Sequence, residues 1–397
     1  MQELSTIRNR IHKELVENIL PFWEKHMVDS EFGGFYGCAA NDLSIEKTAD
    51  KSCILNSHVL WTFSAAYSAL NDENYLKTAE HAYRFLKDAF YDNTYGGLYF
   101  TVDYKGCPAD RRKKIYAIAS GINGLSEFYR ATGNNESVSM AVDLYEIIEK
   151  NSFDNTYGGY FSAFSEDWKT IDDMKLCSKD LKAVKSANTH LHILDACINL
   201  YGAYPGSLPK EKLTGLVRLI IEKMYDECSG QLKLFFTGNW EQVSDIVSFG
   251  QSIAASRLIY KAAGISDDEE LMDLAGNVSL KMAEAVYDQG YDEVLGGIYN
   301  QRSSPHNIDF DKNWWAQAEA ASGFLNAYMF SGDKKYSDAI LKTWEFIDKY
   351  IVDHQNGEWF NTVTRIGNPK MDLPKAETWK SPYSSSRFCL EYLSAVR

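Results

Sequence analysis

Apolar residues recur at three- and four-residue spacing through most of the chain, and the stretches that carry them come in pairs. Between Gly97 and Gly158 the spacing predicts one helix over roughly 114–131 and, after the Thr132-Gly133-Asn134 break, a second over 137–150. Each pair is followed by the same punctuation: an Asp, three residues, then a Gly leading into aromatic or aliphatic residues. It reads Asp29 to Gly33-Gly34-Phe35-Tyr36, Asp92 to Gly96-Gly97-Leu98-Tyr99, Asp154 to Gly158-Gly159-Tyr160-Phe161, Asp226 to Gly230-Gln231-Leu232, Asp292 to Gly296-Gly297-Ile298-Tyr299, and Asp353 to Gly357-Glu358-Trp359-Phe360. Successive copies are 61 to 72 residues apart, room for two helices and a short turn. A fixed offset inside a near-constant period marks a repeat architecture. The glycines suit positive φ after an outgoing helix, and the aromatic run suits a short hairpin. Six such units give twelve helices. Closing them on themselves removes exposed ends, so the expected fold is all-α, an (α/α)6 barrel with short β-hairpins at one mouth, with an open solenoid as the alternative.

The 397 residues contain no Pro/Gly/Ser-rich linker that interrupts this rhythm, so 1–397 is read as a single barrel domain. A net charge of −14 argues against nucleic acid or an anionic membrane as partner, without selecting a substrate. Met1-Gln2-Glu3 opens directly into a charged amphipathic pattern, neither a leader nor a membrane span. Seven scattered cysteines (Cys38, Cys53, Cys107, Cys177, Cys197, Cys228, Cys389) form no Cys-x-x-Cys pair, which fits buried or bystander thiols in a reducing cytoplasm better than a disulfide framework or zinc site; a monomer or homodimer is expected. The basic run Arg111-Arg112-Lys113-Lys114 reads as a solvated loop, with capture of an acidic sugar as the alternative.

In a closed ring the starts of the inner helices, near Ile54, Lys114, Val184, Val247, Asn313 and Trp379, would line one shared cup. The polar and aromatic residues there are Asn56 and His58; Tyr116, Ser120 and Asn123; Asn188, His190 and His192; Ser248 and Gln251; Trp314, Trp315 and Glu319; and Trp379, Lys380, Tyr383, Ser384 and Arg387. Tryptophan at such a mouth favours a mono- or disaccharide, whose apolar ring face packs on indole. Trp315 and Glu319 stand four apart on one helix face, the alternative for Glu319 being a helix-to-helix salt bridge. His190 and His192, two apart, point in different directions, so at most one faces the cup. His12, His26, His81 and His354 fall on outer helices or loops. With no His-Glu-x-x-His string and no histidines at four-residue spacing, neither metal nor other cofactor is expected. Serine-triad, phosphate-loop and dinucleotide motifs are also missing from the sequence.

At these same segments the chain resembles the N-acylglucosamine 2-epimerase superfamily, and most closely its cellobiose 2-epimerase branch. The likeness runs through the Ile-Leu-Pro-Phe-Trp of 19–23, Gly33 to Gly37, the helix from Ile54, the segment from Asn188, Trp314 to Ala320, and Trp379 to Arg387. It implies an (α/α)6 barrel that needs no metal and inverts or isomerises a sugar at carbon 2, one histidine removing the proton and a second returning it from the other face. It also implies histidines where this chain has Gln251 and Ser384, a glutamate where it has Ala254, and a sugar-binding arginine where it has His58. The implied sugar-binding set is better kept, in His192, Trp314 or Trp315, Glu319, Tyr383 and Arg387.

Three functions follow. The first is a sugar epimerase or isomerase with a rebuilt acid/base set, His58 and His192, or His190 with Glu319. The second is a glycoside hydrolase using Glu319 with Asp245. The third is a sugar-binding protein without turnover.

Overall fold

A computed structural model describes residues 2–174, 183–206, 208, 210–304 and 307–396. Six inner helices follow one another around the axis: Cys53–Leu70, Ile115–Thr132, Ala187–Ala203, Phe249–Ala263, Trp314–Ser331 and Tyr383–Ala395. Each packs on the next, and the sixth packs on the first, which closes the ring. The barrel expectation holds and the open solenoid falls. Outer helical segments over 2–27, 73–90, Asn135–Asn151, 210–224, Glu269–Gly290 and 334–351 alternate with them and form the second layer.

The two layers differ in sequence as their surroundings require. In the first inner helix every residue from Cys53 to Ala66 is buried except Trp61, as befits a helix covered on all sides. In the second outer segment burial recurs at Tyr75, Ala79, Ala82, Tyr83 and Leu86, a single stripe facing inward. Helix boundaries follow local chemistry. Ser52, Ser186 and Ser248 cap inner helices, each hydroxyl accepting the N–H three residues on. The sixth inner helix begins at Tyr383 behind Pro382, not at Trp379, which lies in the turn before it.

The repeated Asp motif builds one device. Asp29, Asp92, Asp154, Asp292 and Asp353 each accept backbone N–H groups from the residues two and three further on. The second carboxylate oxygen of each takes a fully buried lysine: Lys51 (2.6 Å), Lys113 (2.6 Å), Lys185 (2.6 Å), Lys312 (3.1 Å) and Lys375. Four of these lysines stand two residues ahead of an inner helix, so each clasp ties the end of an outer helix to the start of an inner one. Gly296 shows why the turn is glycine: its φ is +82°, and a Cβ there would lie 2.3 Å from the Lys342 carbonyl. The fourth unit is the exception. Val247 stands where the lysine would be, and Asp226 has only half-exposed Lys233 at 3.9 Å.

Most of the short strands join units. Lys51–Ser52 pairs with Thr101–Val102, Lys113–Lys114 with Ala163–Phe164, Lys185–Ser186 with Phe235–Phe236, Val247–Ser248 with Gln301–Ser304, and Lys312–Asn313 with Thr362–Val363, all antiparallel. Each strand leading into an inner helix is thus pinned to the next unit. The basic run belongs to this layer. Lys113 and Lys114 are buried, Arg111 pairs with Glu166 and Arg112 with Asp110, so the solvated-loop reading is corrected. Cys177 lies outside the described residues, and the other six cysteines are unbridged. No helix among the described residues is long and apolar enough to cross a membrane.

Candidate active site

The starts of the inner helices surround a cavity of about 530 Å³. His58 comes from the first helix, Tyr116 from the second, Asn188 and His192 from the third, Gln251 from the fourth, Trp314, Trp315 and Glu319 from the fifth, and Tyr383, Ser384 and Arg387 from the sixth, with Trp379 in the turn before it. In ring order the first and fourth helices stand opposite one another, so His58 and Gln251 occupy facing walls.

Three expected site residues are elsewhere. His190 is fully buried behind the cup; its Nε2 accepts the Tyr160 N–H at 2.9 Å, so its proton sits on Nδ1 and goes to the Ser186 carbonyl at 2.7 Å. Both nitrogens are spent on holding a hairpin to its helix. Asn56 does the same work two units earlier, accepting from Phe35 N–H and donating to the Ser52 carbonyl. Asn123 lies one layer below the cavity, donating to the Tyr383 hydroxyl at 2.7 Å and accepting from Asn199 at 2.7 Å. Of the other polar residues at the helix starts, Ser120 bonds back to its own helix, Ser248 caps one, and Lys380 turns away to Glu358. Asp245 is exposed on a loop and lines no part of the cup.

The floor is a connected ionic network. Arg387 donates to Asp195 at 2.9 Å and to Glu319 in a shorter contact, and Glu319 also takes Arg257 at 3.5 Å. Arg257 continues to Glu391 at 3.1 Å. The Tyr383 hydroxyl donates to Asp195 at 2.6 Å and accepts from Arg387 at 2.9 Å. Apart from half-buried Glu391, these groups are almost wholly buried, and such charges persist inside a protein only when paired and hydrogen-bonded. The salt-bridge alternative for Glu319 is therefore the geometry observed, with the carboxylate still on the cavity wall. Burial pushes the Asp195 carboxyl up, but Arg387, Arg257 and the Tyr383 hydrogen bond outweigh it and hold the carboxyl at about 2. The pattern that would have revealed Asp195 is its place three residues after His192, on the same helix face.

Above the floor, His58, His192, Gln251 and Ser384 carry no charge at neutral pH, while Glu377 adds one further acid to the lining. Burial drives the His58 pKa down to about 3, with His192 and Arg387 adding to the effect and Asp195 opposing it. His192 falls to about 4, again mainly through burial. Both rings are neutral imidazoles at neutral pH. His58 is hydrogen-bonded through Nδ1 to Ser381 Oγ at 2.8 Å and stacks on Tyr383, centroids 4.6 Å apart and planes 13° apart. His192 lies against the Tyr116 ring at 3.9 Å between centroids. Gln251 Oε1 is buried and without a partner.

The aromatic wall has two different tryptophans. Trp314 is buried beneath the Lys380 ammonium, 5.0 Å from the ring centroid. Trp315 is half-exposed, and Gly250 lets it lie where it does: a Cβ at Gly250 would sit 2.7 Å from the indole. The sequence reading missed further lining residues, among them Ser381 and, on the segments after the fifth helix, Asn361, Thr362 and Glu377. Among the described residues no cluster of His, Cys, Asp or Glu is arranged to hold a metal ion.

A closed double ring of helices with a neutral, tryptophan-walled cup over an ion-paired floor defines an (α/α)6-barrel protein of the sugar-epimerase kind. Residues 34–380 match the family model for N-acylglucosamine 2-epimerase, and the chain belongs to that family. It falls in the cellobiose 2-epimerase branch. The cellobiose 2-epimerase of Bacteroides fragilis is 40% identical over 98% of both chains, and that of Ruminococcus albus 37% identical over 97% of this chain and 98% of its own. The cellobiose 2-epimerase structure from Bacillus thermoamylovorans superposes with a TM-score of 0.93 at 37% identity, covering 98% of this chain and 99% of that one.

Proposed function

We propose that the protein binds a reducing mono- or disaccharide in the cup and moves the proton on carbon 2, as a sugar epimerase or isomerase whose proton carriers are His58 and His192. One observation carries this reading: two neutral imidazoles share a single cavity that also presents a tryptophan face and a fixed guanidinium. A neutral imidazole accepts a proton through one nitrogen and donates through the other, which is what ring opening and carbon 2 exchange require. Gln251 and Ser384 cannot take a proton from carbon, since an amide is not basic and a serine hydroxyl is not activated here. They serve as hydrogen-bonding partners for sugar hydroxyls, with Asn188, Tyr116 and Trp379 beside them.

Trp315 is the stacking platform, with Trp314 as the wall behind it. Tyr383 and Arg387 present their polar edges to the sugar, and Glu319 fixes Arg387. Two guanidinium partners on Glu319, and an Asp245 that lies outside the cup, weigh against glycoside hydrolysis by that pair, since the reaction needs two carboxyl groups flanking one bond. Binding without turnover is the second reading, favoured by a Gln251 Oε1 that has no partner among the described residues, on the wall opposite His58.

Proton NMR in heavy water on the purified protein separates these. Cellobiose, lactose, mannose, glucose and N-acetylglucosamine form the panel. Loss of the carbon 2 proton signal is expected for at least one sugar. Line broadening without exchange would establish binding alone, and new reducing-end signals without exchange would establish hydrolysis.

A further inference from the structure

One side chain on the seam between the two ends of the chain stands where the backbone asks for glycine. Gly34, Gly97, Gly159 and Gly297, the second residues of their turns, have φ of +65° to +81°, and in the sixth unit Glu358 takes the same place at +58°. Its backbone does the same work as theirs: the Asp353 N–H donates to the Glu358 carbonyl at 2.9 Å, as Asp29 does to Gly34 and Asp292 to Gly297 at 3.0 and 2.8 Å. A residue with a Cβ rarely adopts this left-handed conformation. The glutamate is therefore kept against the preference of its own backbone, and such an outlier points to a use for the side chain.

That use shows in what the carboxylate joins. One oxygen accepts from Lys380 Nζ at 2.8 Å and from the Trp359 N–H at 3.0 Å, and the other accepts from Trp23 Nε1 at 2.6 Å. Glu358 and Lys380 are both fully buried. Trp23 belongs to the outer helical segment that opens the chain, and the Trp359 indole donates to Glu14 of the same segment at 2.8 Å. Lys380 stands in the turn ahead of the last inner helix, a turn closed by two 3.1 Å backbone bonds between Glu377 and Lys380. Its two neighbours, Trp379 and Ser381, line the cup, and Ser381 Oγ is bonded to His58 Nδ1 at 2.8 Å.

The sixth unit needs this tie because its clasp is displaced. Lys51, Lys113, Lys185 and Lys312 stand two residues ahead of their inner helices, whereas Lys375 stands eight ahead of Tyr383. The Asp353 clasp thus secures the chain at 375 and leaves the stretch that reaches the cup to be held by something else. We propose that Glu358 is a positioning residue, docking the 377–381 turn on the N-terminal helical segment and so fixing Trp379, Ser381 and the His58 ring for the sugar. The proposal rests on the functional reading above.

The test uses the full chain in four forms besides the wild type. Glu358→Gly installs the residue that four other units use at this place. Glu358→Gly with Lys380→Met also removes the buried ammonium that the first variant strands. Trp23→Phe takes one bond from the carboxylate and leaves the ion pair intact. Ile148→Ala, a fully buried outer-helix change away from the cup, controls for general loss of stability. The readouts are nitrogen-15 NMR titration of His58 in the free protein, and calorimetry with cellobiose and mannose. The groups that face His58, namely His192, Arg387, Asp195 and Tyr383, are the same in every form.

In both Glu358 variants the loosened turn should admit water, so His58 should titrate upward from about 3 toward the ~6.5 of a free imidazole. Sugar affinity should fall about tenfold or more, against a change within about twofold for Ile148→Ala. Trp23→Phe should move His58 the same way by less. A double variant with the His58 titration and affinity of the wild type would show that Glu358 only neutralises Lys380, and would overturn the proposal. An unmoved His58 in Trp23→Phe would overturn the docking on the N-terminal segment, and equal losses in Ile148→Ala would reduce the effect to softening of the whole fold. A wild type that binds neither sugar would count against the functional reading alone, since the His58 titration in the free protein still decides whether Glu358 fixes the turn.

Discussion

The floor and the walls of the cup are built on opposite terms. On the floor, Asp195, Glu319, Arg387, Arg257 and Glu391 are charged, and each has at least one oppositely charged partner. On the walls, His58, His192, Gln251 and Ser384 are neutral under ordinary conditions, and Gln251 Oε1 has no partner among the described residues. A paired floor is over-determined: any one group is fixed by two or three others, so it holds geometry. A neutral wall is under-determined by the protein, which leaves its hydrogen-bonding capacity for a ligand. The difference teaches where to look for conserved scaffold and where to look for altered chemistry within one pocket.

The comparison breaks most sharply at Arg387. Replacing it by Ala leaves buried Asp195 without a cation in contact and Glu319 with Arg257 alone, and removing one partner of a buried ion pair costs roughly 3–5 kcal/mol. Chemical denaturation should show a loss of that size. A loss below about 1 kcal/mol would mean that water, not Arg387, solvates Asp195 and Glu319. The same variant removes a positive charge that holds both histidine pKa values down, so NMR titration should show His58 and His192 rising.

Acid provides the next test, because floor and walls respond in different windows. Both histidines have folded-state pKa values below that of a free imidazole, so the unfolded chain binds protons first as pH falls. Their contribution is fully present above about pH 6.5 and is lost toward about 4 for His192 and about 3 for His58. Asp195, also depressed, contributes above its ordinary value of 3.8 and loses that contribution only as pH falls toward about 2. Stability should therefore decline in two stages. In the His58→Gln, His192→Gln double variant the first stage should shrink, and an unchanged curve between pH 6.5 and 4 would remove both rings from the account.

A smaller effect is expected at the wall tryptophans. Trp315→Ala should weaken sugar binding about tenfold, or ~1.4 kcal/mol, the scale of one aromatic face. Calorimetry with the best ligand measures it. Equal affinity in the variant would return Trp315 to a packing role.

How much of this could be read in advance follows from the same physics. The barrel was legible because the Asp-to-Gly offset and helical spacing are local and repeat six times. The clasp was not, although Lys51, Lys113, Lys185 and Lys312 stand at one position relative to their helices: a lysine in sequence signals solvent, and only the fold brings it 2.6–3.1 Å from a buried carboxylate. Most cup residues were found from their place at helix starts. His190, Asn56 and Asn123 were misplaced because the start of a helix has an inner side and a flank, and a shift of about 100° per residue separates them. Asp195 was not legible because it lies two turns into its helix, beyond the mouth that the helix starts define.

The smallest expected effect also asks the most of the comparison. Gln251→His with Ser384→His would put imidazoles where the family resemblance expects them, on walls that the present chain keeps neutral and non-basic. Each new ring would enter a setting unlike the one it presupposes. Ala254 supplies no carboxylate beside position 251 to settle a protonated ring, and His58 occupies the wall where a sugar-binding arginine is expected. Burial drives an unpaired imidazole toward neutrality, as it does at His58 and His192 with Arg387 adding to it. The double variant should therefore produce a trace of carbon 2 epimer, well short of the roughly 10⁴-fold that a tuned acid–base pair provides, and adding Ala254→Glu should raise it further. Full epimerase activity from the two histidines alone would mean that the ion-paired floor sufficed to tune them. No epimer even from the triple variant would place the deciding change at His58.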